Sequence, residues 1–346
     1  IFYPSNSYLL IKMKKYPKNF TEKIKNFLQL DFKIKFKKFL TLVGLKFFLY
    51  NSLFFIVKLI NKNRSPFVRG ILFDALKYKS KLEIVENKHK EKFIIFTNDN
   101  VISKEIFVSE EFDIKKVYKA LDFLNKKSKI SRLYDIGANI GVICIPAVKR
   151  GLVESANAVE PERKNFELLQ MNVALNDLQN KIKIFDYALS DKDNEIIEME
   201  LAEDNSGDHR IKNKPQFNIH GEENRKTVKV NSKKFDSLFT NIDPKKDLVW
   251  IDTQGYEPII LSGSENLIKS KTPIVIEFWP YALKRAGHWE KMMHIFSKFD
   301  YFIDLSLSRT IPVEINEKNL LILKDGWDSE KKGDFSLYTD LILLKN

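Results

Sequence analysis

From residue 132 onward, short apolar strands and amphipathic helices take turns, and this alternation constrains the chain more than any other feature. "RLYDI" precedes a helix expected at about 139–150, and "ANAVE" precedes one at about 162–176. "KIKIFDYAL", "DLVWID" and "TPIVIEFW" supply further strands. Helices are expected across 257–269 and near 288–298, before the last strands, "YFIDLSL" and "SLYTDLILL". Strands separated by helices pair through crossover connections. The sequence therefore predicts an α/β fold, a doubly wound, mostly parallel seven-stranded sheet with helices on both faces. Residues 191–247 break the rhythm as an insertion. They carry "NEIIEMEL" and "KTVKVNS", predicted as an extra antiparallel pair, with the polar "AEDNSGDHR" between. Upstream, "KFIIF" and "EIFV" read as strands. Residues 113–127 read as a helix with Ile114, Val117, Leu121 and Leu124 on one face.

The first strand–helix junction is "LYDIGANIGV", residues 133–142. The chain has only 12 glycines, yet Gly137 and Gly141 both fall within this stretch, after Asp135. Gly137 permits a sharp turn, and Gly141 a close approach of the next helix to the sheet. In an open parallel sheet, ligands bind beyond the carboxyl ends of the strands, near the point where strand order reverses. Asp135, Gly137, Ala138, Asn139 and Gly141 are therefore candidate ligand contacts, with free N–H groups at the helix start adding polar contacts. The second strand ends at Glu160, where a carboxylate accepts from both hydroxyls of a ribose. The third ends at Asp186, placed to receive the exocyclic amine of adenine, with Tyr187 and Ala188 beside it. A nicotinamide dinucleotide site wants Gly-x-Gly-x-x-Gly, whose glycines admit a pyrophosphate. Here Asp135 holds the first glycine position. A carboxylate repels a pyrophosphate and suits the ammonium of a methionine moiety. S-adenosyl-L-methionine is thus expected over NAD, and a plain strand–turn–helix with no ligand is the competing reading.

Asp252 ends "DLVWID" across from this turn and is the first candidate for a general base toward an acceptor hydroxyl. Glu277 ends the strand "TPIVIEFW", and Glu257 follows Asp252 by one turn of chain. Three such carboxylates hold a divalent cation, cap helices or bind hydroxyls. Hard-cation sites have no tight sequence spacing, and no metal is predicted. His209, in "NSGDHRI", is a second candidate base, since an imidazole titrates near neutral pH; the plainer reading is a solvated loop histidine. Trp279 and Tyr281 offer an aromatic platform for a sugar, or serve as core.

"YDIGANIGV", "VEPERKNFELLQMNVALN", "DYALSD", "KKFDSLF" and "VWIDTQGYEPIILSGSENLI", in that order, resemble the FkbM-type S-adenosylmethionine-dependent methyltransferases. The resemblance spans roughly residues 95–345, about 70% of the chain. It rests most on the pairing of Asp-Ile-Gly-Ala-Asn-x-Gly with the downstream Ile-Asp-x-Gln-Gly-Tyr-Glu. The family usually shows Lys-Ile-Asp-Val-Glu-Gly there, and this chain departs from it with Trp250 and Gln254. The resemblance implies a sheet of the class I methyltransferase (Rossmann-like) type, S-adenosyl-L-methionine as cofactor, and O-methyl transfer, often to sugar or polyketide hydroxyls. A saccharide or lipid-linked glycan is the expected acceptor. RNA methylation and a non-catalytic cofactor-binding module are the alternatives.

Residues 1–90 lie outside the resemblance and are expected to form a basic, apolar helical extension, with the methyltransferase domain over 91–346. The extension holds 20 Lys and Arg against 5 Asp and Glu, and the remainder 38 against 41. The basicity thus belongs to the extension. Its Lys residues mix with long Phe/Leu runs and few Arg, a pattern that favours a membrane surface over nucleic acid. Residues 39–60 are strongly apolar, but Lys46, Asn51, Ser52 and Lys58 interrupt the run of about 20 residues that spanning requires. Peripheral association through residues 14–62, or a hairpin packed on the body, is expected instead. The single cysteine, Cys144, excludes a disulfide framework and suits a reducing cytoplasm, with the extension at the inner face of the membrane.

Overall fold

The computed structural model describes residues 65–213, 222–328 and 332–346. The expectations for residues 14–62 lie outside them. Among the described residues no helix is long and apolar enough to cross a membrane. The chain divides into two compact units, one ending at Ser80 and one running from Lys81 to Asn346. The described part of the first is α1 (Pro66–Leu76). Pro66 stands in its first turn, and the Ser65 hydroxyl accepts from the Val68 amide, the two devices that start a helix cheaply.

The second unit opens with an antiparallel hairpin of β1 (Leu82–Glu86) and β2 (Lys92–Phe96), then α2 (Ile102–Ser109) and α3 (Ile114–Leu124). "EIFV" lies in α2 and is not a strand. Ile102 and Ile106, one helical turn apart, are the buried pair, and a run of four apolar-rich residues is too short to separate the two periods. The alternation follows: β3 (Arg132–Ile136), α4 (Cys144–Lys149), β4 (Ser155–Val159), α5 (Arg163–Leu175) and β5 (Ile182–Phe185). Residues of the insertion and its flanks form β6 (Ala188–Leu189), β7 (Ile196–Leu201), β8 (Arg210–Ile211) and β9 (Lys226–Lys233), followed by α6 (Phe235–Leu238). Next come β10 (Asp247–Ile251), α7 (Glu257–Ser262), α8 (Glu265–Ser270), β11 (Ile274–Phe278), α9 (Pro280–Arg285) and α10 (Trp289–Phe296). The chain ends with β12 (Tyr301–Asp304), β13 (Val313–Glu314), α11 (Glu317–Gly326) and β14 (Thr339–Leu344).

The central sheet has eight strands in the order β13-β12-β14-β11-β10-β3-β4-β5, one more than expected. Strands β11, β10, β3, β4 and β5 run parallel. Strand β14 lies antiparallel between β11 and β12, and β13 adds an antiparallel edge. The five parallel strands return through crossovers, whereas antiparallel neighbours need none. Every residue of β10 and β11 is buried, which is why their apolar residues stand side by side, as "LVWI" and "IVI", and do not alternate with polar ones. The predicted antiparallel pair of the insertion is β7 with β9, and it belongs to a second sheet ordered β6-β9-β7-β8. Strand order reverses between β3 and β10, so the carboxyl ends of these two strands define the crevice.

Candidate active site

Asp135 sits near the end of β3 with its carboxylate buried, and Oδ2 accepts from the Cys144 amide at 3.1 Å. Burial raises its pKa to about 6 against that donor. The following helix begins at Cys144 and not near 139, because the intervening turn takes left-handed steps: φ is 86° at Gly137, 50° at Asn139 and 92° at Gly141. A Cβ on Gly137 would stand 2.0 Å from the carbonyl oxygen of Asp252. Only glycine lets the end of β3 meet the end of β10 this closely. A Cβ on Gly141 would meet Ile145 and Leu169 at 2.5 and 2.9 Å, so this glycine admits the side chains of α4 and α5.

Glu160 follows β4 immediately. Its Oε2 accepts from the Asn139 amide and its Oε1 from the Glu162 amide, both at 2.9 Å. Burial raises its pKa to about 8 in spite of these donors. The Asn139 side chain donates to the Ser206 carbonyl at 2.7 Å, and Asn165 donates to the same oxygen at 3.1 Å. The loop of the insertion is thereby tied across the turn.

A cavity of about 360 Å³ runs along these strand ends. Asp135, Gly137, Asn139, Glu160, Tyr187 and Ala188 line it. Ala138 and Gly141 are buried and do not, so their part is to shape the turn. Asp186 is exposed and does not line the cavity either. Strand β5 stops at Phe185 and the chain then crosses to the second sheet at β6, which leaves Tyr187 and Ala188, and not the acid, on the wall.

The opposite wall comes from β10, β11 and β14. Asp252, partly buried, lines it with Gln254, Glu277, Trp279, Tyr338 and Asp340. The Gln254 amide nitrogen donates to Asp252 Oδ1 at 2.7 Å and to both oxygens of Glu277 at 3.1 Å. Glu277 and Asp340 are register partners across β11 and β14. Lys116 on α3 reaches Asp340 at 2.6 Å and Asp113 at 2.9 Å. Burial raises the pKa of Asp252 and of Asp340 to about 7, and that of Glu277 well above the usual carboxylate range, where neighbouring carboxylates add to the effect. Glu257 belongs to the scaffold. Its Oε1 accepts from the Thr253 and Gly255 amides at 2.8 and 3.3 Å, and it does not line the cavity. Among the described residues no group of three or more His, Cys, Asp or Glu side chains is placed to hold a metal ion.

His209 lines the cavity, but its Nδ1 accepts from the Ala202 amide at 3.1 Å, and burial lowers its pKa to about 4. It is neutral and weakly basic at pH 7. Trp279 lines the wall, whereas Tyr281 is core. Lys116 and Asp340 carry no sequence signal, since each occupies an ordinary position in a helix or strand. Gln254 stands out in sequence only as a departure from a motif.

The donor set fits S-adenosyl-L-methionine. Two buried carboxylates at adjacent strand ends face one cavity, the turn between them leaves no room for a Cβ, and Val159, Tyr187 and Ala188 supply an apolar wall. Residues 135–303 match the profile of the methyltransferase FkbM domain. No curated protein matches the chain. Among solved structures it is similar to methyltransferase FkbM from Methylobacillus flagellatus, at 15% identity and a TM-score of 0.36, covering 65% of this chain and 47% of that one. The chain thus spans about half the length of that relative. It is also similar to TYW2 of P. horikoshii in complex with MeSAdo (12% identity, TM-score 0.32, 78% and 73% covered). A third is the METTL16 methyltransferase domain (11%, TM-score 0.39, 81% and 80%). The matched segment runs from the first strand-end carboxylate into β12, and over it the chain is similar to the FkbM-type S-adenosylmethionine-dependent methyltransferases.

Proposed function

We propose that the chain methylates a hydroxyl of a saccharide or lipid-linked glycan, with Asp252 as the proton acceptor. The observation that carries this reading is the pairing of two unlike walls in one cavity. Asp135 and Glu160 stand at one set of strand ends, Asp252, Gln254 and Glu277 at the other, and Gly137 packs against the Asp252 backbone between them. Asp135 would hold the cofactor's ammonium, Glu160 its ribose hydroxyls, and Tyr187 and Ala188 its adenine. When bound, the cofactor supplies an electrophilic methyl group. The chain's own residues position the acceptor and take its proton. Asp252 receives the hydroxyl proton, Gln254, whose amide is also held by Glu277, keeps Asp252 in place, and the partly exposed Trp279 offers a sugar ring an aromatic face. Residues 91–346 carry 38 Lys and Arg against 41 Asp and Glu, a balance that suits a neutral glycan better than RNA. The test incubates the purified chain with methyl-labelled cofactor and either a cell-surface glycan extract or total RNA. Label is expected in the glycan fraction; label confined to RNA, or none, overturns the reading. The same proposal holds that residues 14–62 bind anionic membranes, and failure of the full chain to co-sediment with anionic liposomes at low salt removes that part.

A further inference from the structure

The acceptor wall crowds carboxylates. Asp252 faces Glu257, Asp113 and Glu277; Glu277 faces Asp252, Glu257 and Asp340; Tyr338 lies beside them, and Lys116 is the cation in the group. Lys116 is already held between Asp340 and Asp113. What stands between Asp252 and Glu277 is one nitrogen, Gln254 Nε2, at 2.7 Å from the first and 3.1 Å from both oxygens of the second. We propose that Gln254 is a positioning residue that keeps Asp252 and Glu277 from sharing a proton, so that Asp252 meets the acceptor hydroxyl unprotonated, with a lone pair free to take the proton. The inference rests on the reading of Asp252 as the base.

The chemistry follows from the amide. Two carboxylates in one site lower their repulsion by binding a proton between them, which removes the base. An amide group offers two N–H donors and has no proton to give up at ordinary pH. It can serve both carboxylates while neutralising neither. A lysine there would form an ion pair and a carboxylate would add charge; the amide does neither. The backbone supports the assignment. Gln254 has φ 58°, in the left-handed region that a side-chain-bearing residue adopts only under constraint. The turn is fastened on both sides of it: Glu257 Oε1 accepts from the Thr253 and Gly255 amides, and His288 Nδ1 lies 2.8 Å from the Gly255 carbonyl. A Cβ on Gly255 would collide with the backbone of Ala282 at 2.9 Å, so the turn has no slack toward α9. The fold thus spends strain to aim this one side chain between two acids.

The experiment uses the full chain with Gln254→Leu, which removes both donors, and Gln254→Glu, which adds a third carboxylate. Two measurements are made from pH 5 to 10. One is turnover, with methyl-labelled cofactor and the glycan extract. The other needs no acceptor: infrared titration of the protonated carboxyl band, with the Asp252 component identified by its loss in Asp252→Asn. Calorimetry with S-adenosylhomocysteine reports whether each variant keeps the cofactor wall. Both variants are expected to bind it as the parent does. Their Asp252 titration and the acid limb of turnover should move together to higher pH by at least about one pH unit, further for Glu than for Leu. Activity at pH 7 should fall at least about fivefold and recover at alkaline pH, which a merely structural role would not produce. A titration that stays in place, a loss equal at every pH, or loss of cofactor binding in both variants overturns the proposal. If the acid limb persists in Asp252→Asn, the reading of Asp252 as base fails, and this inference with it. If that limb disappears in Asp252→Asn but stays unmoved in the Gln254 variants, the base survives and only the role of Gln254 is lost.

Discussion

On the wall formed by β3 and β4, the carboxylates of Asp135 and Glu160 are fastened by backbone amides of Cys144, Asn139 and Glu162. On the wall formed by β10, β11 and β14, Asp252, Glu277 and Asp340 are fastened by side chains, those of Gln254 and Lys116. The first arrangement uses donors that any sequence of the right backbone shape supplies. The second uses donors that exist only because of particular residues. A backbone-held carboxylate keeps its geometry when its neighbours vary, which suits an invariant ligand. A side-chain-held carboxylate has a proton affinity that each neighbour can move, which suits a group that must gain and lose a proton. Substitution on the first wall should therefore change affinity, and substitution on the second should change turnover.

The largest effect is expected on the second wall. Asp252→Asn keeps the shape and removes the charge, and should lower kcat by about 100-fold or more. Affinity for S-adenosylhomocysteine, measured by calorimetry, should stay near that of the parent. The parent's kcat should fall as the pH drops through about 7, because the active form is the unprotonated carboxylate and burial has raised its pKa to that value. A strong loss of cofactor affinity in this variant would erase the distinction between the walls.

Glu160→Ala tests the other side. Loss of a buried acceptor for the ribose hydroxyls should cost roughly 1–3 kcal/mol in cofactor binding, or about 5- to 150-fold in Kd. At saturating cofactor much of the turnover should return. Equal affinity in the variant and the parent would remove Glu160 from the cofactor wall.

The smallest effect is expected at His209. Its Nδ1 is occupied by the Ala202 amide and its pKa is lowered to about 4, so it makes a poor base. His209→Ala should change kcat by less than about tenfold, below the ~10²–10⁴ range of a positioned general base. An inactive His209→Ala beside an active Asp252→Asn would reverse the ranking and move the base to the insertion.

The strands β3, β4, β10 and β11 were legible because each is a short apolar run at a strand-helix boundary. Asp135, Glu160, Asp252 and Glu277 were legible because each lies at such a strand's carboxyl end. Asp186 shows where that logic stops. It also ends a strand, but the chain turns into a second sheet directly after β5, and no pattern within "KIKIFDYAL" distinguishes a continuous strand from two joined at Asp186. The helix start at Cys144 was missed for a related reason, since spacing does not report the sign of φ at Asn139.

Spacing along the chain thus sufficed for the sheet's parallel centre, the place of the crevice and the two carboxylates on its β3–β4 side, Asp135 and Glu160, because those depend on interactions between near neighbours and on backbone groups that every residue has. The wall formed by β10, β11 and β14 was set by folding. Lys116 and Asp340 are 224 residues apart in sequence and 2.6 Å apart in space, and Gln254 reaches Glu277 from another strand end. Whether a buried carboxylate is a base, a structural acceptor or half of an ion pair depends on desolvation and on the charges beside it. Both are properties of three-dimensional packing, and a linear spacing carries no record of either.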